Sequence, residues 1–338
     1  MIKTMNKNKT KPLKITVIGG SGFVGTNLCK ALEKSIHEFE IIDLKISKKF
    51  PNKCKIGDIR DLNSLRNTIS GEVVVNLAAV HRDDIRDRCE YQITNVNGAK
   101  NLTIVCKEKN IQKIIFTSTV AVYGFADPGT DETGKINPFN EYGRTKFEAE
   151  EKLRLWQLER GNSLFIVRPT VIFGERNRGN VFNLLAQIKS GRFLMIGKGK
   201  NKKSMAYVEN VVAFIKDRLL TRKIGLETYN YIDKPDFTMN ELTLLVQKIV
   251  GVNIIGIKIP YIIGLVFGYA FDLLAFILKR KLPISSVRVK KFCATTQFDA
   301  SKAHTSFTAP YSLEDGLNRT LEYEFINKEK DDILFYSE

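Results

Sequence analysis

The feature that most constrains this chain is a glycine-rich turn placed where an apolar run stops. Residues 13–18 read LKITVI and run straight into Gly19-Gly20-Ser21-Gly22-Phe23-Val24-Gly25. Leu28, Ala31 and Leu32 then recur at helical spacing. The pattern predicts a strand, a tight turn and a helix. Glycines let the backbone turn sharply and approach another group, and a helix start offers unpaired N–H groups. Such a corner suits an anion, above all a pyrophosphate.

A second apolar run at 39–42 ends in Asp43, eighteen residues past Gly25. A carboxylate near that offset accepts from a ribose 2′-hydroxyl and repels a 2′-phosphate, which favours NAD over NADP. Gly19, Gly22, Phe23, Val24, Gly25 and Asp43 are therefore candidate cofactor contacts. Residues 73–77 and 113–117 read as buried parallel strands, and 62–69 and 94–109 as helical. This alternation predicts an α/β chain with a Rossmann-type doubly wound parallel sheet. The expected organisation is a basic tail over 1–12 and a dinucleotide-binding domain over 13–175, to which 204–232 returns. A smaller C-terminal α/β substrate domain is expected mainly over 176–330.

Tyr142-Gly143-Arg144-Thr145-Lys146 places a phenol and an ammonium four residues apart, on one helix face. A free phenol, with a pKa of about 10, is too weak a base at neutral pH. A neighbouring ammonium and a positive nicotinamide ring both stabilise the phenolate. The strand at 114–117 leads into Ser118-Thr119, hydroxyls at the carboxyl end where ligands bind in such sheets.

In this order, these segments resemble the extended short-chain dehydrogenase/reductase family, which holds the nucleotide-sugar epimerases and dehydratases. The resemblance covers nearly the whole chain. It also rests on Gly57-Asp58-Ile59-Arg60, Asn76-Leu77-Ala78-Ala79, Asn95-Val96-Asn97-Gly98, residues 116–124, Val167-Arg168-Pro169-Thr170 and residues 298–303. It implies that Asp58 and Ile59 flank an adenine, and that Leu77, Ala78, Ala79 and Pro169 line the cofactor. It implies that Asn95 orders the site, Tyr142 is the base and Lys146 binds the nicotinamide ribose. The catalytic hydroxyl is implied at Thr119, with Ser118 the near alternative. Val120 and Ala121 stand where the family's 4,6-dehydratases carry Asp-Glu. Neither side chain moves a proton, so dehydration is not expected. The triad serves a 4-epimerase or a 4-ketoreductase equally, though Asp43 leans against an NADPH-driven reductase. A non-catalytic protein that senses NAD is disfavoured by the intact Thr119, Tyr142 and Lys146.

Four later stretches narrow the resemblance: His81-Arg82-Asp83-Asp84, residues 174–180, residues 203–208 and residues 285–293. They are similar to family members that epimerise an N-acetylhexosamine on a lipid diphosphate, for bacterial surface polysaccharide. The implied partner is a lipid-linked sugar diphosphate, with a UDP-N-acetylhexosamine as the alternative. Lys203 occupies the position where the family usually has a diphosphate-binding arginine. A lysine keeps the charge and loses the bidentate fork. Arg288, with Lys290 or Lys291, is a second candidate, and Asn180 and His81 complete the expected substrate contacts. Relatives often form homodimers through two helices, here near 94–109 and 142–160.

Charge and one apolar stretch suggest a location. The formal net charge is +16. Eleven positive charges and no acid lie in residues 1–14 and 279–291, so a general nucleic-acid surface is not expected. Five cysteines, none at CxxC spacing, and three scattered histidines fit a reduced cytoplasmic setting without a metal site. The basic N-terminus has no apolar stretch before the first strand, so no secretory signal is expected. Residues 261–278, YIIGLVFGYAFDLLAFIL, hold one charge, Asp272, and Lys279-Arg280-Lys281 follow. As a helix they reach roughly 27 Å, against about 30 Å for a hydrocarbon core. Partial insertion in an anionic membrane interface is expected, at the cytoplasmic face of the bacterial inner membrane, peripheral or monotopic.

Overall fold

Each early apolar run folds as a strand of one sheet, and each amphipathic segment covers a face of it. The computed structural model describes residues 11–81, 85, 87–191, 193–253, 256–278, 280, 282, 285–327 and 333–336. In chain order the strands are β1 (Lys14–Ile18), β2 (Glu38–Asp43), β3 (Cys54–Ile56), β4 (Val73–Asn76), β5 (Lys113–Thr117), β6 (Ser163–Pro169), β7 (Val171–Phe173), β8 (Met195–Ile196), β9 (Lys202–Tyr207), β10 (Gly225–Tyr231), β11 (Asp233–Thr238) and β12 (Lys258–Ile259). Seven form the large sheet, in the order β10-β6-β5-β4-β1-β2-β3. Every pair in it is parallel. The order reverses beside β1, so the carboxyl ends of β1 and β4 flank a crevice, where such sheets bind ligands.

The helices are α1 (Phe23–Glu33), α2 (Leu62–Thr68), α3 (Cys89–Tyr91), α4 (Gly98–Glu108), α5 (Glu141–Arg160), α6 (Asn180–Lys189), α7 (Val208–Leu220), α8 (Met239–Val250), α9 (Tyr261–Leu278), α10 (Ser286–Cys293), α11 (Ser301–Ser306) and α12 (Leu313–Leu321). Leu28, Cys29 and Leu32 of α1 share a buried cluster with Val211, Phe214 and Ile215 of α7 on one sheet face. Leu65, Leu102, Ala149, Leu153 and Trp156 of α2, α4 and α5 fill the cluster on the other. Ahead of α4 the chain makes a π-turn over Gln92–Asn97, where the sequence pattern predicts an uninterrupted helix. The other described strands form a small sheet, β11-β9-β7, and the pair β12-β8. The return expected over 204–232 is made by α7 and β10, whereas β9 pairs with β7 and β11 instead.

Helix α9 forms over the predicted limits, and only Gly264 and Gly268 are buried in it. A Cβ on Gly264 would come within 2.7 Å of the Ile196 side chain, and one on Gly268 within 2.7 Å of the Ser286 backbone. The glycines thus let α9 lie directly against β8 and α10. Asp272 continues the same stripe and accepts from the Ser286 N–H at 3.2 Å, at the start of α10. That contact accounts for the one charge in an apolar helix. Ile262, Val266, Phe267, Leu273, Phe276 and Ile277 remain exposed on the helix. Among the described residues it is the one helix long and apolar enough to cross a membrane. Lys279, Lys281 and residues 1–10, which carry much of the expected basic charge, lie outside the described residues.

Candidate active site

The glycine turn is shaped by two close approaches. Gly19 has φ +78°, and a Cβ on it would sit 2.7 Å from the Ala78 nitrogen. The turn therefore lies against the Leu77-Ala78-Ala79 loop that leaves β4. A Cβ on Gly25 would collide with the Gly19 carbonyl, so α1 starts directly on the turn. Gly22 is the α1 N-cap and supplies no side-chain cap, leaving the first N–H groups, at Phe23 and Val24, for another acceptor. Asp43, at the end of β2, accepts from the Ser21 N–H at 2.9 Å and so stands beside the turn. A close backbone, an uncapped helix start and an adjacent carboxylate suit a dinucleotide.

Farther along the crevice, the Arg60 guanidinium grips Asp58 at 2.8–3.0 Å and holds its carboxyl below the usual range. Ile59 is buried against Gly98, at the start of α4. Pro169 ends β6 and is also buried. Asn95 sits in the π-turn and is buried. Its amide bonds both ways to Val80, at 2.9 and 3.0 Å, and donates to the Thr145 hydroxyl at 3.0 Å. It joins the loop after β4 to α5. The π-turn buries Asn95 together with Val96, a local wind that hydrophobic periodicity does not encode.

Helix α5 carries the phenol and the ammonium. Asn140 caps it by accepting from the Gly143 N–H at 2.9 Å. A Cβ on Gly143 would come 2.5 Å from the Ala121 carbonyl, so the first turn of α5 rests on the chain that leaves Thr119. Tyr142 and Thr119 are thereby brought together at the carboxyl end of β5. Burial pushes the Tyr142 phenol up to about 12, and the nearby Thr119 hydroxyl pulls the other way. Lys146, one turn on, is buried with its ammonium 4.1 Å over the Phe116 ring. Burial pulls it down to about 7, and the Glu150 carboxylate a further turn on opposes that.

The other hydroxyl is committed elsewhere. Ser118 is buried and donates to Glu150 Oε1 at 2.5 Å. Glu150 also accepts from Arg168 Nε at 2.9 Å and Nη2 at 2.5 Å. Arg168 Nη1 donates to the Tyr123 hydroxyl at 2.7 Å, which donates to Asn230 at 2.8 Å. Sequence reading passed over Glu150 and Arg168. The available signals are Glu150, which extends the four-residue ladder from Tyr142 and Lys146, and Arg168, a charge inside an apolar strand.

The substrate candidates separate. His81 comes close to Tyr142, with ring centroids 6.5 Å apart. Arg82, Asp83 and Asp84 lie outside the described residues. Asn180 is exposed at the start of α6, and Arg288 is exposed on α10. Lys203, expected at a diphosphate, is held by protein backbone. Its ammonium is buried and donates to the Lys291 and Ala294 carbonyls at 2.8 and 2.6 Å, closing the end of α10. A lysine pulled down by burial to about 8 answers the unpaired carbonyls of a helix C-terminus. Lys198, Lys200 and Lys290, unmarked or secondary in sequence, line a cavity of about 410 Å³ with Ile196, Tyr261 and Cys293.

Comparison with known proteins gives this arrangement relatives. A family model described as the NAD dependent epimerase/dehydratase family matches residues 15–230. The chain is 50% identical over 330 residues to the N-acetyl-α-D-glucosaminyl-diphospho-ditrans,octacis-undecaprenol 4-epimerase of Escherichia coli O157:H7. That match covers 96% of this chain and 99% of the relative. It is 28% identical to the decarboxylating sterol-4-α-carboxylate 3-dehydrogenase of Saccharomyces cerevisiae, covering 91% and 96%. In fold it is similar to the Bacillus cereus UDP-glucuronic acid 4-epimerase solved with NAD, at TM-score 0.70 and 23% identity, covering 92% and 98%. The Thermotoga maritima UDP-glucose 4-epimerase matches at TM-score 0.72 and 23% identity, with the same coverage.

Proposed function

This chain belongs to the NAD-dependent epimerase/dehydratase family, and from that premise we propose that it inverts C4 of the N-acetylhexosamine in undecaprenyl-diphospho-GlcNAc and -GalNAc. The observation that carries the reading is the 50% identity, end to end, with an enzyme of that printed activity. The reaction serves synthesis of a surface polysaccharide such as O-antigen.

Bound NAD supplies a reversible hydride acceptor at C4. Everything else falls to side chains. Tyr142 takes the O4 proton as C4 is oxidised to the ketone. It returns a proton to O4 when C4 is reduced from the opposite face of the ring. Thr119, close to that phenol, holds O4 in reach. The Lys146 charge steadies the phenolate, and Glu150, two turns from Tyr142, favours the charged lysine. Asn95 keeps α5 in register with the loop beside the cofactor. Gly19, Gly22, Phe23, Val24 and Gly25 receive the pyrophosphate and Asp43 a ribose. Asp58 and Ile59 bound the adenine, and Leu77, Ala78, Ala79 and Pro169 line the remaining wall. His81 and Asn180 contact the sugar diphosphate, with Arg288 and Lys290 supplying charge. Val120 and Ala121 leave the 4-ketone without the proton donors that dehydration needs.

The exposed apolar face of α9 seats the enzyme on the cytoplasmic face of the inner membrane, as a monotopic protein. Its glycine-aspartate stripe is occupied by Ile196 and Ser286. One face is thus left for lipid, which suits a helix lying in the interface. The chain pairs into a homodimer across α4 and α5, where Leu155 and Leu158 are exposed at 58% and 73%. A monomer mass in detergent by light scattering would exclude that pairing.

One assay tests the reaction. Purified enzyme receives undecaprenyl-diphospho-GlcNAc or UDP-GlcNAc without added NADH. Conversion of the lipid substrate is expected. Conversion of UDP-GlcNAc alone overturns the substrate, and a need for stoichiometric NADH or NADPH overturns the epimerase.

A further inference from the structure

Two phenylalanines flank the catalytic segments and meet outside them. Phe125 follows the turn that leaves Thr119, and Phe139 immediately precedes Asn140, the cap of the helix that carries Tyr142. Their rings stack with centroids 4.8 Å apart at 29°. Yet Phe125 is 61% exposed and Phe139 45%. The stack is built, not incidental. Gly124 has φ +69°, and a Cβ there would collide with the Asn137 carbonyl. The Asn137 N–H donates to the Val122 carbonyl at 3.0 Å, which ties the two loops together. Chain geometry thus holds a stacked aromatic pair at the surface, next to the start of the helix that carries Tyr142, instead of burying it.

The rim of the stack is positive. Lys291 of α10 places its ammonium 4.7 Å over the Phe139 ring. The Lys291 carbonyl is held by Lys203, and α10 lies against α9 through Gly268 and Ser286. An apolar platform with a cation at its edge therefore lies between the catalytic tyrosine and the elements that carry the exposed apolar helix. A polyprenyl diphosphate has the matching order of groups: sugar, two phosphates, then unsaturated hydrocarbon.

We propose that the Phe125–Phe139 stack, with Lys291 at its rim, is the subsite for the first isoprene units of the lipid carrier. This rests on the lipid-linked reading of the substrate and specifies which surface recognises the lipid. Isoprene units gain by leaving water for the exposed ring surface of the pair, and the ammonium faces the adjoining diphosphate. The subsite gives a reason for preferring lipid carriers that does not depend on the membrane itself.

The test uses full-length, NAD-loaded enzyme without detergent or vesicles, so that membrane partitioning is not read. Two soluble substrates are compared: farnesyl-diphospho-GlcNAc, with three isoprene units, and methyl-diphospho-GlcNAc, with none. The Phe125→Ser/Phe139→Ser double variant is expected to raise KM for the farnesyl substrate by about tenfold, the scale of losing a few apolar contacts in a pocket. Its kcat and its KM for the methyl substrate should match wild type. Phe125→Leu/Phe139→Leu should recover most of the farnesyl KM, because apolar area is restored. An unchanged farnesyl KM in the serine variant overturns the subsite. So does an equal loss on both substrates, which makes the pair structural. Wild-type enzyme that converts UDP-GlcNAc and neither of these two overturns the lipid-linked reading itself.

Discussion

At the scale of single residues, burial drives the two members of the Tyr142–Lys146 pair in opposite directions. The phenol is pushed up to about 12 and the ammonium down to about 7. Both shifts oppose the charged pair that proton transfer needs, so the site carries a penalty that catalysis justifies. For Lys146 the sign can be followed. Its folded-state value lies below its ordinary 10.5, so the folded state holds the lysine charged at a cost below pH 7. That cost fades as pH rises from 7 towards 10.5, because the unfolded chain then binds the extra proton. Lys146→Met should therefore lower kcat by at least about 10²-fold while raising Tm by a few degrees at pH 6. The gain should shrink towards pH 10 in thermal melts run in parallel. A Tm that falls at every pH would show that the buried ammonium stabilises the fold.

The two neighbouring hydroxyls make a second contrast. Thr119 lies by the phenol and lowers its pKa, whereas Ser118 bonds Glu150. Thr119→Val should cut kcat by about 10²-fold with little change in Tm. Ser118→Ala should keep kcat within several-fold and cost about 1–3 kcal/mol of stability, because it removes a buried donor from a carboxylate. Steady-state kinetics and urea melts separate the two, and the reverse pattern would exchange their roles. The strand-end pattern alone placed both hydroxyls together, and the family resemblance implied Thr119 with Ser118 the near alternative. What separates them is a carboxylate thirty-two residues away, in a hydrogen bond that linear spacing does not show.

At the scale of elements, Glu150 and Arg168 join α5 to β6 beneath the reactive face. Their side chains are almost fully buried, at 0% and 3% exposure. Glu150→Ala leaves the Arg168 guanidinium without its carboxylate and should cost about 3–5 kcal/mol. It should also lower the Lys146 value further, because the opposing carboxylate is gone. Loss of stability without any movement of the pH–kcat profile would make the pair purely structural. The same elements show where pattern reading succeeds. β5 and α9 run over their predicted limits because each is a dense apolar run with polar or basic residues at its ends. The YxxxK spacing was legible because a helix face repeats every three to four residues. Glu150 was not, because a charge on an amphipathic pattern looks solvated until the neighbouring element is known. The Asn95 π-turn was hidden for a related reason: one extra residue per turn leaves composition unchanged.

At the scale of the whole molecule, charge and apolar surface meet at one place. The cofactor crevice lies at the carboxyl edge of the large sheet, while α9 and α10 carry an apolar face with a basic border. Lys290 donates to the Tyr269 hydroxyl at 3.0 Å, so one of those cations is fixed to α9 itself. Electrostatic and apolar terms respond differently to salt. At about 1 M salt the screening length falls to roughly 3 Å, which removes most attraction to anionic head groups and leaves apolar burial intact. Each inserted aliphatic or aromatic side chain is worth about 1.5–3 kcal/mol. Ile262, Val266 and Phe276 are 73%, 62% and 82% exposed, so their replacement by serine removes little internal packing. The triple variant should bind phosphatidylglycerol vesicles at least about tenfold more weakly. Wild-type binding should weaken in high salt and persist in part. Tm and NAD content should stay as in wild type, because all three side chains face solvent. Equal sedimentation of variant and wild type with vesicles would remove α9 as the anchor.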